Sequence, residues 1–83
     1  MHYVYLIEGA GGARYVGCTN DLKRRLAEHN AGESSHTKRL IPWQLVTYIA
    51  FQHEQSARAF EAYLKHGSGH AFAKRHFWTR PAH

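Results

Sequence analysis

Hydrophobic and polar positions follow two rhythms along this chain. Tyr3 to Ile7 is a short apolar, β-rich run that ends at Glu8. Gly9, Gly11 and Gly12 follow it, the composition of a flexible turn. Arg14 to Cys18 is a second short run, so the first eighteen residues predict a β-hairpin. The period then lengthens. Leu22, Leu26 and His29 recur on one helical face between Asp21 and Asn30, with Thr19 and Asn20 as caps and Gly32 as a stop.

Residues 31–42 are small, polar and basic without periodicity, and read as a long exposed loop. Trp43 to Phe51 is rich in β-branched and aromatic residues and predicts the longest strand. Ala57, Phe60 and Leu64 mark one face of a second helix from about Glu54 to His66, stopped by Gly67. Ser68 is placed to cap a short third helix carrying Phe72, Lys74, Arg75 and His76. The order β-β-α-β-α-α predicts an α/β fold of the α+β kind: a small three-stranded, mostly antiparallel sheet flanked by about three helices. No repeat or linker divides residues 1–83, which form a single domain on this reading.

Composition narrows the picture. Hydrophobic residues make up 43% of the 83 and charged residues 20%, a globular balance, with five Tyr, four Phe and two Trp to complete a small core. The lone Cys18 cannot close an internal disulfide, which favours a reducing compartment. The opening apolar run is too short for a bilayer and lacks a basic leader, so a cytoplasmic protein with no membrane association is expected. Eleven Lys and Arg against six Asp and Glu give a formal charge of +5. That balance favours a polyanionic partner such as nucleic acid, although it also serves solubility.

Candidate chemistry lies in a few polar residues on these elements. Tyr5 and Tyr15 share a sheet face if the hairpin register has the right parity, for example with the two directly opposed; a one-residue slip separates them. Arg25 and His29, four apart, are helix neighbours beside the Leu22/Leu26 stripe, and Arg24 is not on that side. Glu61 falls within the apolar stripe of the second helix. An unpaired carboxylate is costly to bury there, so it must meet a cation, a donor or water. Each residue also has a plainer reading: strand tyrosines usually pack, and helix glutamates are usually solvated. Cys18 reads as a small hydrophobe, His36 as a loop bystander, and His66, His70 and His76 as a trio interrupted by glycines. Converging Tyr, Tyr, Arg, His and Glu on one sheet face would nevertheless supply what phosphodiester cleavage needs: a base, a cation for phosphate and a carboxylate for a metal.

In order along nearly the whole chain come Tyr3-Val4-Tyr5, Tyr15-Val16-Gly17, Thr19-Asn20-Asp21-Leu22 with Arg24-Arg25, and His29-Asn30-Ala31-Gly32. Pro42-Trp43-Gln44-Leu45-Val46 and Ala57-x-x-x-Glu61-x-x-x-Lys65 follow. This series resembles the GIY-YIG nuclease superfamily, in its small stand-alone, single-domain form; the first signature lacks its Gly. The resemblance implies a metal-dependent endonuclease. Tyr5 would be the candidate general base, with Tyr15 supporting the water or the phosphate. Arg25 would stabilise the scissile phosphate, His29 would stand beside it, and Glu61 would bind a single Mg2+ or Mn2+. Lys38, Arg39, Lys74, Arg75 and Arg80 would grip the nucleic acid. DNA is expected ahead of RNA, structured or damaged rather than sequence-specific, as in DNA repair. A second protein would supply any sequence specificity, and the domain would be a monomer or weak dimer. The alternative is a non-catalytic nucleic-acid-binding module on the same scaffold.

Overall fold

A computed structural model describes residues 1–78; Arg80, one of the expected substrate contacts, lies outside the described residues. Strands β1 (His2–Glu8), β2 (Arg14–Thr19) and β3 (Gln44–Phe51) form one antiparallel sheet in the order β2-β1-β3. Helices α1 (Leu22–Asn30), α2 (Glu54–Lys65) and α3 (Gly67–His76) complete the α+β order β-β-α-β-α-α.

β1 is the central strand, and Val4, Tyr5, Leu6 and Ile7 are all buried in succession. A strand covered on both faces has no polar alternation. Val4 and Leu6 pack with Ala57 and Leu64 of α2, Ala73 of α3 and Trp78. Tyr5 and Ile7 face the other way, onto Trp43, Tyr15, Leu22 and Leu26. The sheet therefore divides two small cores, with α1 on one side and α2 and α3 on the other.

The turn between β1 and β2 is a 3-10 turn over Ala10–Gly12, where Gly11 and Gly12 take φ of 70° and 79°. Only glycine adopts that backbone without steric cost, and the turn fixes the hairpin register. α1 is capped by Asp21, whose Oδ1 accepts from the Arg24 amide at 3.0 Å. The sequence had offered Thr19 and Asn20; Thr19 instead accepts from the Asp21 amide at 3.1 Å and steadies the true cap.

The segment from 31 to 42 is largely exposed but is not simply a loop. Thr37 within it is fully buried and a 3-10 turn, Lys38–Leu40, follows. The Asn30 side chain secures its two ends, accepting from the Trp43 amide at 2.6 Å and donating to the Trp43 carbonyl at 3.0 Å. At the corner between α2 and α3, His66 is the cap residue and the helix begins at Gly67, not after Ser68. Gly67 has φ +52°, and a Cβ at Gly69 would strike the Tyr63 carbonyl, so the two helices approach as closely as they do only through glycine.

Candidate active site

The hairpin register pairs Tyr5 with Gly17 and Ile7 with Tyr15. The two tyrosines are thus diagonal neighbours on the α1 face rather than directly opposed. Their ring centroids lie 6.3 Å apart. Gly17 has no side chain to oppose Tyr5, and the Tyr5 ring lies across it; a Cβ there would meet the ring carbon and the hydroxyl. The glycine is what lets the ring reach over β2.

His29 and Trp43 complete a box of four rings. His29 lies 5.7 Å from Tyr5, 5.2 Å from Tyr15 and 6.4 Å from Trp43 between centroids. A polar chain runs through this box: the Tyr5 hydroxyl is 2.8 Å from His29 Nε2, and His29 Nδ1 is 2.7 Å from Thr37 Oγ1. Trp43 Nε1 donates to the Thr37 carbonyl at 2.9 Å, which holds Thr37 in place. Tyr5, His29 and Thr37 are 2%, 1% and 1% exposed, so their polar groups depend on one another rather than on water.

Burial raises the Tyr5 phenol well above the ordinary tyrosine range, with neighbouring Tyr15 adding to the effect; the Arg25 guanidinium pulls the other way without prevailing. Burial also lowers the His29 imidazole, and the Arg25 charge lowers it further. The resting pair is therefore a neutral phenol and a neutral imidazole. With Tyr5 donating to Nε2, the imidazole carries its proton on Nδ1 and donates to Thr37, a tautomer assigned from the hydrogen-bond network.

Arg25 and Glu61 approach from opposite sides of the sheet. Arg25 comes from α1, its Nε 3.2 Å from Glu28 Oε1, and lines a recess with Cys18, Thr19 and Asn20 of the β2 end and Arg58 of α2. Arg24, by contrast, is exposed and bonded to Asn20. Glu61 lies in the buried stripe of α2 but halfway out of it, where Lys65 Nζ donates to Oε2 at 3.0 Å. Lys65 in turn lies 5.8 Å over the Tyr15 ring. The sequence had gathered all five residues on one sheet face. Tyr5, Tyr15, Arg25 and His29 belong to the α1 face, whereas Glu61 belongs to α2 on the other. Side chains from the two faces meet around β2 because β2 is an edge strand. Both Arg25 and Glu61 are close enough for their charges to act on Tyr5 and on Cys18, whose thiol is raised chiefly by burial.

Of the expected substrate contacts, Lys38 and Arg39 stand exposed on the turn directly after Thr37. Lys74 and Arg75 are on α3, where Arg75 borders a recess with Tyr63, Phe72 and His76. The α3 residue beside Tyr15 is instead His70. Among the described residues no three His, Cys, Asp or Glu side chains converge as a metal-binding group, the His66, His70 and His76 trio included. Thr37, Trp43 and Lys65 join the site without having been marked as candidates from sequence. Trp43 and Lys65 stood in the motif series, and Lys65 also lay four residues beyond Glu61 on the same helix face; Thr37 had no signal.

The GIY-YIG catalytic domain family model matches residues 1–75. The chain is 41% identical over 64 residues to a UPF0213 protein of Streptococcus pyogenes serotype M5 (strain Manfredo), spanning 76% of this chain and 70% of that one. It is 40% identical over 65 residues to a UPF0213 protein of Haloquadratum walsbyi, spanning 77% and 73%. Its fold is similar to the solution NMR structure of the UPF0213 protein BH0048 from Bacillus halodurans, with a TM-score of 0.55 and 33% identity over 89% of this chain and 80% of that one.

Proposed function

The chain belongs to the GIY-YIG catalytic-domain family, and on that premise we propose that it is a divalent-metal-dependent endonuclease hydrolysing phosphodiester bonds in nucleic acid, with DNA the first candidate. The observation that carries this reading is the meeting of a buried Tyr5–His29–Thr37 chain with Arg25 and Glu61 around the open edge of β2.

In this mechanism Tyr5 is not a standing phenolate, since its burial opposes one. It takes a proton from the attacking water as its own proton passes to His29 Nε2, 2.8 Å away. His29 rests neutral, so its Nε2 lone pair is open to the Tyr5 proton, and Thr37 stays bonded to its far nitrogen. Tyr15, beside both rings, orients the water or a phosphate oxygen. Arg25 presents planar donors to the nonbridging oxygens as charge develops.

A magnesium or manganese ion would rest on the single carboxylate of Glu61, with phosphate oxygens and waters completing its shell, the usual pattern for magnesium. The residues fit that role: the Glu61 carboxylate is partly exposed, and its partner Lys65 has a solvent-exposed side chain free to give way. When bound, the ion would neutralise charge on the phosphate and the departing oxygen. Lys38 and Arg39, and Lys74 and Arg75 on α3, are proposed to hold the flanking backbone.

The test is purified protein with magnesium or manganese on single-stranded, duplex and branched DNA and RNA, beside Glu61→Ala. Wild type is expected to cleave at least one form and the variant none. The lost Glu61–Lys65 pair should cost only about 0–1 kcal/mol of stability, as for other exposed pairs. Cleavage by Glu61→Ala at the wild-type rate would remove Glu61 from the mechanism. Binding with no cleavage of any form would leave only a binding module.

A further inference from the structure

β3 bonds to β1 on one side, and no other described strand pairs with its free side. Alternate residues of such a strand turn their N–H and C=O groups outward, where they template another strand unless charge, proline or a bulge blunts them. β3 reads Gln44-Leu45-Val46-Thr47-Tyr48-Ile49-Ala50-Phe51, a run without one charge or proline. A bulge is present, but near the start of the strand: the register with β1 shifts between Leu6 and Ile7, and Thr47 to Phe51 stay regular.

The side chains of this strand are no better covered. Tyr48 and Ala50 stand opposite Tyr5 and Tyr3, on the α1 face of the sheet. The core beneath α1 takes in Tyr5 and Ile7 but no residue of β3. Tyr48 is 50% exposed, with its ring edge-on to Tyr3 at 5.8 Å, and Leu45 and Val46 are 40% and 38% exposed.

We propose that the free edge of β3 is a self-association surface, on which a second copy of this chain lays its own β3 antiparallel across a two-fold axis at Ile49. The proposal is independent of the nuclease reading. Charge identifies the occupant. The chain carries a formal +5, so two copies repel unless they meet on a surface free of like charges. β3 is such a surface, whereas a strand from an acidic partner would find no cation on it. Shape agrees with charge. With the axis at Ile49, pairing falls on the regular stretch, Thr47 opposes Phe51 of the second copy, and Tyr48 opposes Ala50, a large ring beside a small side chain. An antiparallel two-fold stands perpendicular to the sheet, so both α1 faces lie on one side and the two Tyr3–Tyr48 pairs join in one aromatic band. The product is a continuous six-stranded sheet. So short a ladder makes a small interface, and dissociation is expected on the order of 10⁻⁵ to 10⁻⁴ M.

The test is sedimentation of the full chain over concentrations from about 5 μM to 1 mM, spanning that range. It is paired with hydrogen exchange at the two extremes, for wild type, Ala50→Lys and Ala71→Lys. Wild type is expected to rise from 9.5 kDa toward twice that mass, with β3 amides gaining protection as it does and β2 amides unchanged. Ala50→Lys, at an exposed position facing Tyr48 of the second copy, should raise the dissociation constant at least about tenfold. Ala71→Lys adds the same charge at an exposed position on α3 and should leave it within about twofold. A wild type that stays monomeric throughout would overturn the proposal and leave the edge to a strand from another protein. A dimer whose β3 amides gain no protection, or one weakened equally by both lysines, would also overturn it. If Ala50→Lys fails to fold, the exchange of wild-type β3 decides the matter alone.

Discussion

Replacing Tyr5 by Phe removes one oxygen and keeps the ring across Gly17, so its effects isolate the hydroxyl. In the wild type that hydroxyl is 2.8 Å from His29 Nε2 in a site where both residues are almost wholly buried. The variant loses this bond and leaves a buried acceptor unpaired, a combination that costs about 1–2 kcal/mol. For a domain of this length each kcal/mol moves the melting temperature by about 4–8 °C, so a fall of roughly 4–16 °C is expected. Separately, loss of the group that receives the water proton should slow cleavage about 10²- to 10⁴-fold. Urea unfolding gives the first quantity and single-turnover cleavage the second. Thr37→Val serves as the control: it should cost similar stability by orphaning His29 Nδ1, yet slow cleavage less, because the Tyr5 hydroxyl remains. A Tyr5→Phe protein as stable as wild type would refute the buried bond. One that cleaves at the wild-type rate would refute the proton path.

Two further outcomes follow from the same geometry. Gly17→Ala places a methyl group against the Tyr5 ring and hydroxyl; overpacking of this kind costs about 1–3 kcal/mol, and the displaced ring should lose both stability and cleavage, so wild-type melting and rate would show that the ring does not cross Gly17. His29, held neutral by burial and by Arg25, binds its proton less readily folded than unfolded. Its contribution to stability is therefore complete above the ordinary imidazole value of about 6.5 and is lost as pH falls through the lower folded value. An NMR titration of the His29 ring at or above that ordinary value would refute the sign.

What the sequence made legible was what has a period. The helical faces of Leu22, Leu26 and His29 and of Ala57, Phe60 and Leu64 are printed in the spacing, and the strands in their β-branched runs. The hairpin register was not legible, because parity depends on how the Ala10–Gly12 turn is wound and both parities fit the same letters. Glu61 falls within its stripe as the spacing implies, and of the partners open to it there, a cation, a donor or water, Lys65 supplies the first. Its position across the sheet from the tyrosines depends on how the chain crosses from β3 into α2, a tertiary fact that no local pattern carries. Thr37 was missed because nothing periodic surrounds it. Its burial comes from Trp43 and His29, one after it and one before it in the chain, closing on it from both sides. Ser68 looked like a cap by residue type, but the corner is governed by the clearance Gly69 gives the Tyr63 carbonyl.

The position of β2 at the margin of the sheet also sets how this architecture can grow. An outer strand is ordinarily open to pairing with another chain or with an added segment. A strand laid alongside β2 would cover the edge around which Arg25 and Glu61 are proposed to act. β3, at the opposite margin, carries none of the residues assigned a role in the reaction. Under the proposed mechanism, an added segment on the β3 side leaves the reacting residues uncovered, whereas one on the β2 side covers them.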